Sequence, residues 1–167
     1  RAEDPSSLPA LARDIDALAH NLLAQGMNAE NLTAILSSLN DRLTQRVIEL
    51  ESRAANLPDV QWCWLALGSE GRMEQTLVTD QDNALIYQSA TESEQATLLA
   101  FAERVNQRLA DCGFPLCKGG IMASNPKWCQ SLEAWRATFA NWIHRSDAPA
   151  LLHASIFFDF RPLYGAS

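Results

Sequence analysis

A change of hydrophobic period at Leu57-Pro58-Asp59 divides the chain into two unlike parts. Before it, Leu11, Ile15, Leu18 and Leu22 recur at helical spacing, the mark of an amphipathic helix. Gly26 stops that helix, and Asn28 is placed to cap a longer one. In the second helix Leu32, Ile35, Leu36, Leu39, Leu43, Val47 and Leu50 form an apolar stripe. Asp41, Arg42, Gln45, Arg46 and Glu49 fall largely outside it. Residues 1–56 therefore read as a helical lead-in, an αα-hairpin packed on the following domain with no chemistry of its own; a coiled-coil partner face is the alternative.

Beyond the break the pattern alternates between strand-length and helix-length pieces. Val60 to Leu67 is an apolar run of strand length, closed by Gly68 and Gly71. Asn83 to Tyr87 reads as a second strand. Ser93 to Ala110 has helical spacing through Leu98, Phe101, Val105 and Leu109, and Gly113-Phe114-Pro115 ends it. Lys118-Gly119-Gly120-Ile121-Met122 is a loop entering a short extended piece. Ser131 to Ile143 is a further amphipathic helix, with Leu132, Trp135, Phe139 and Trp142 on one side. Ser155 to Phe160 reads as a last strand, closed by Arg161-Pro162. The class is α+β: a helical hairpin, then a core over 57–167 with a small mixed sheet flanked by helices.

Composition narrows the partners. The net charge is −7 and the only lysines are Lys118 and Lys127, so electrostatic attraction to a nucleic-acid backbone is not expected. Cys63, Cys112, Cys117 and Cys129 match no zinc spacing and read as buried thiols of a reducing cytosol. No apolar run is long enough to cross a bilayer. The chain starts at Arg1 and stops soon after Tyr164-Gly165. It reads as a piece of a longer protein, with the C-terminal part of the core truncated.

The chemistry is concentrated in Gly68-Ser69-Glu70-Gly71-Arg72-Met73-Glu74-Gln75-Thr76-Leu77-Val78-Thr79-Asp80-Gln81-Asp82-Asn83. A buried strand running into Gly68-Ser69 and then a helical turn would offer free N–H groups and a hydroxyl to an anion. Arg72, and with it Lys118, could neutralise phosphate charge. Asp80 and Asp82 are two apart, so strand alternation would point both to one face. Adjacent carboxylates repel unless a cation lies between them, and hard oxygen ligands suit Mg²⁺, with Mn²⁺ the other choice.

Gly68-Ser69 followed by Asp80-x-Asp82 resembles the signature of the DNA polymerase β-like nucleotidyltransferase superfamily. The longer string through Asn83-Ala84 resembles the DUF294 nucleotidyltransferase domain, found with CBS and cyclic-nucleotide-binding domains in bacterial signalling proteins. That domain is related to the nucleotidyltransferase part of the PII uridylyltransferase. The Gly119-Gly120-Ile121-Met122-Ala123 segment and the Phe157-Phe158-Asp159-Phe160-Arg161 ending extend the likeness over most of the chain. The resemblance implies a third carboxylate facing the first two, and Asp159 is its candidate, binding the metal and helping to deprotonate the acceptor.

The expectation is then a cytoplasmic, Mg²⁺-dependent enzyme moving a nucleoside monophosphate from an NTP to a protein or small-molecule acceptor. Gly68, Ser69 and Arg72 would hold the nucleotide; Asp80, Asp82 and Asp159 would be catalytic and metal-binding. Regulatory domains of the parent chain are expected partners, a dimer stays open, and neither nucleic acid nor membrane is expected. The alternative is a nucleotide-sensing or interaction module without catalysis. Plainer readings also exist: Asp80 and Asp82 as turn formers, Arg72 paired with Glu74, Gln75 and Thr76 as loop braces, and Asp159 paired with Arg161. Trp135 and Trp142 read as core. His20, His144 and His153 show no ligand spacing.

Overall fold

A computed structural model describes residues 4–77, 79–144 and 155–166; His153 lies outside them. Four strands form one mixed sheet: β1 (Trp62–Ala66), β2 (Asn83–Tyr87), β3 (Cys129–Ser131) and β4 (Arg161–Gly165), in the order β3-β2-β1-β4. β1 runs antiparallel to both β2 and β4, and β2 pairs in parallel with β3. The helices are α1 (Leu8–Ala24), α2 (Ala29–Ala54), the single turn α3 (Gly68–Gly71), α4 (Glu92–Asp111) and α5 (Leu132–His144). This is the expected α+β class, a helical hairpin leading into a small mixed sheet.

Local chemistry sets the helix starts. The Asn28 side chain accepts a 2.8 Å bond from the Asn31 N–H, which satisfies one orphan donor of α2. Thr91 and Glu94 form a reciprocal capping box at the head of α4.

Alternation in β1 splits its side chains between two cores. Trp64 and Ala66, with Leu85 and Tyr87 of β2, pack against Leu43, Val47 and Ile48 of α2 and Phe101 and Val105 of α4. Cys63, Leu65 and Leu67 face the other way, onto Trp128, Trp135 and Phe157. The lead-in thus shares the main core with the sheet, since α2 supplies part of its centre. Trp135 is buried, as expected, and donates its indole N–H to the Leu85 carbonyl at 3.3 Å. Among the described residues no helix is long and apolar enough to cross a membrane.

The structure departs from the sequence reading at the C-terminal end. Residues 155–157 are helical, 158–159 form a turn, and the strand begins only at Arg161. The aromatic run imitates a strand, but Phe157 is buried against Trp128, Trp135 and Trp142, so packing overrides β-propensity. Pro162 lies inside β4 rather than closing it. It is tolerated because β4 is an edge strand, where a missing N–H need not break a ladder. The three-residue β3 is too short to show a period, and it went unread for that reason.

Candidate active site

The end of β1 and the approach to β2 meet edge to edge. The Leu67 N–H donates to the Asp82 carbonyl at 3.0 Å, extending the β1–β2 ladder past both strands. The chain then turns sharply at Gly68, whose φ is +52°, into the first turn of α3. Only glycine adopts that conformation without strain. A Cβ there would also stand 3.0 Å from the Asp82 carboxylate. The turn and the carboxylate are therefore in contact. The first N–H groups of α3 have no intrahelical acceptor, and the Ser69 hydroxyl lies 3.5 Å from that of Thr79.

Residues 80–83 are held by what points inward. Gln81 and Asn83 are almost fully buried. Gln81 donates to the carbonyls of Asn106 and Phe114 at 3.0 and 2.8 Å. Asn106 of α4 donates to both Gln81 and Asn83, at 2.7 and 3.0 Å. The Asn83 oxygen also accepts from the Ala123 N–H, and the Asn106 oxygen accepts from the Ser124 N–H. Alternation then leaves Asp80 exposed and Asp82 half-buried on the opposite side. Although they precede β2, the two acids share a face as the spacing anticipated.

A third side chain joins them. Ligand atoms of Asp80, Asp82 and Cys117 all lie within 4.8 Å of one another. The Cys117 thiol lies beside the Asp82 carboxylate, and burial raises its pKa. Burial also pushes Asp82 up, with the neighbouring charge of Asp80 adding to it while the nearby thiol opposes it. A cation at the pair would relieve both effects. The two hard oxygens fit Mg²⁺ or Mn²⁺, whereas a thiol that keeps its proton is a donor rather than a ligand. Cys117 was read only as an inert thiol, because its link to Asp82 spans a loop and leaves no spacing signal.

Asp159 is not in that group. It lies in the turn before β4, and its carboxylate accepts a 2.7 Å bond from Arg72, whose Nε donates to Glu74 at 2.8 Å. Arg72 thus sits between two acids on the rim, and Arg161 is not the partner of Asp159. Instead, Arg161 donates to Asp41 of α2 at 2.9 Å and to the carbonyls of Glu70 and Gly71 at 3.0 and 3.3 Å. α2 also reaches the segment through Ser37, whose hydroxyl accepts from the Gln75 N–H at 3.1 Å. The lead-in, expected to have no part in the site, therefore braces it. Glu70 faces inward in α3. Burial first, then the charges of Asp41 and Asp82, push its pKa up to about 8 against the opposing pull of Arg161.

Gly71 explains the second glycine of the string. A Cβ on it would run into the carbonyl oxygen of Asp159, so the returning chain lies directly on α3. Neither Lys118 nor Lys127 joins the group at Asp82 through a described ion pair; Lys127 instead follows the Asn125 cap of a 3-10 turn. The family model described as "Putative nucleotidyltransferase DUF294" matches residues 13–149, which include every element from the body of α1 to α5. No curated protein matches the chain.

Proposed function

The chain belongs to the DUF294 nucleotidyltransferase family, and on that premise we propose that it transfers a nucleoside monophosphate from an NTP to an acceptor hydroxyl with Mg²⁺ held by Asp80 and Asp82. The observation that supports this most directly is the contact between the Gly68 turn and the Asp82 carboxylate, which sets an anion-binding turn beside a cation-binding pair. In this reading the turn N–H groups and the Ser69 hydroxyl receive phosphate oxygens. Arg72 neutralises charge on the triphosphate. A bound Mg²⁺ supplies charge stabilisation of the phosphoryl group under attack. The acceptor oxygen bonds to the α-phosphorus as the bond to the bridging oxygen breaks, and pyrophosphate leaves. Asp159 is the third acid and takes the hydroxyl proton, once a triphosphate competes for Arg72 and frees it. The acceptor is a protein side chain or a small molecule. The setting is cytoplasmic signalling, with regulatory domains elsewhere in the parent chain.

One observation favours a second reading. With Asp159 committed to Arg72, two carboxylates remain, enough to bind a nucleotide–metal complex without turning it over. The two readings separate in one experiment on the whole fragment. Thermal shifts with each NTP, with and without Mg²⁺, should show one nucleotide stabilising only with the metal, by about 2.7 kcal/mol at a hundredfold excess over its dissociation constant. Asp80→Ala should abolish the shift. Pyrophosphate release with that nucleotide, lost in Asp159→Asn, supports transfer; binding without release supports the sensor. No shift with any nucleotide at millimolar concentration would overturn both.

A further inference from the structure

Between α1, α2 and the side chains of Thr76, Leu77 and Thr79 lies a cavity of about 300 Å³, separate from the carboxylate group. Its walls are apolar where Ile15, Leu36, Leu43 and Phe114 meet. The polar side chains of Arg13, Asp16, Asn40, Thr76 and Thr79 stand among them. Asn40 of α2 lines the cavity and is 7% exposed, yet its amide makes no hydrogen bond with any described residue. The Asn40 amide opens on the cavity rather than being sealed from solvent, and is available to a partner that enters there.

The chemistry of that partner follows from the walls. Asn offers one acceptor and a pair of donors in a plane, the pattern that reads the edge of a base side by side. Ile15, Leu36, Leu43 and Phe114 give apolar surface that suits the flat faces of a heterocycle, while Asp16 and Thr79 offer oxygens to the hydroxyls of an attached sugar. Arg13, exposed at the mouth, makes no ion pair with a described residue. The volume is at the lower end for small-molecule sites, enough for one nucleoside. Thr79 is shared: it lines the cavity, and its hydroxyl is 3.5 Å from Ser69.

We propose that this cavity binds a nucleobase, with the Asn40 amide reading its edge. The base comes from one of two sources, the NTP whose phosphates lie at Ser69, or a free nucleoside acting as an effector through Thr79. The site stands without the transfer reading, because neither phosphate nor metal is needed to fill it.

The test uses the four ribonucleosides, without phosphate or Mg²⁺, titrated calorimetrically into the wild-type chain and into Asn40→Leu, Asn40→Asp and Asp80→Ala. One nucleoside should bind wild type and Asp80→Ala alike. Asn40→Leu should weaken it at least tenfold with no loss of melting temperature, since no protein bond is removed. Asn40→Asp, which exchanges donors for an acceptor, should change which base is preferred. Competition by the matching NTP identifies the nucleotide's own base as the occupant; simultaneous binding identifies an effector. If no nucleoside binds at millimolar concentration, or Asn40→Leu and Asn40→Asp bind like wild type, the proposal is wrong. Loss of NTP binding in Asp80→Ala, with nucleoside binding intact, separates this site from the transfer reading.

Discussion

The two halves of the segment from Gly68 to Asn83 are built on different principles. Residues 79–83 are near-extended and anchored by alternate side chains, Gln81 and Asn83, that end in a closed amide network on α4. Residues 68–75 turn twice through positive φ, at Gly68 and Met73. They are held by groups far away in the chain: Ser37, Asp159 and Arg161, the last paired with Asp41. One half carries its own scaffold beside it. The other is clamped by α2 from before and by β4 from after. The geometry of the two acids is therefore robust to changes in the lead-in, whereas the Gly68 turn is not.

The largest effect expected from this contrast is at Asn106. Asn106→Leu strands the buried polar groups of Gln81, Asn83 and the Ser124 N–H, and should destabilise the fold by about 3–4 kcal/mol. Chemical denaturation with an unchanged m-value checks it; a loss below 1 kcal/mol would mean the network is not what holds the acids. Next comes Gly71→Ala, which forces the turn and the Asp159 carbonyl apart. It should cost about 2–3 kcal/mol by overpacking and weaken nucleotide binding more than metal binding. Equal weakening of both would break the distinction between the two halves.

The effect at Glu70 depends on pH. Its folded pKa of about 8 lies above the ordinary value of 4.5, so the folded chain holds the proton more tightly than the unfolded chain. The stability this gives is present below the unfolded value and is lost as pH rises toward and through about 8. Glu70→Gln, a permanent mimic of the protonated acid, should match wild type in melting temperature near pH 5 and exceed it at pH 9. Parallel melting curves across that range would show that Arg161 keeps the acid ionised instead.

The same contrast governs what could be read from the residues alone. The β2 strand, both long hairpin helices, α4 and the shared face of Asp80 and Asp82 follow from period and caps, which are local. Three things did not. Cys117 reaches Asp82 across a loop with no fixed spacing. Asp41 looked like a solvated charge, because burial of a charge is visible only once Arg161, 120 residues later, arrives beside it. Asp159 carried two equally short-range readings, and its Arg72 partner lies 87 residues upstream. Aromatic packing hid the true start of β4 in the same way, since Phe157 is claimed by tryptophans of the 3-10 turn and α5 rather than by a neighbouring strand.

The tight seat of Asp159 on Gly71 also sets a schedule for assembly. Closing a contact over so long a stretch of chain comes late, because its loop entropy must be offset by structure already formed. During synthesis the hairpin, β1, β2 and α4 have all emerged and can pack before the strand β4 exists. Until residues 159–161 leave the ribosome, the turn at Gly68 lacks both its Arg161 clamp and its Arg72 partner. The turn at Gly68 is thus among the last parts of the molecule to take its shape.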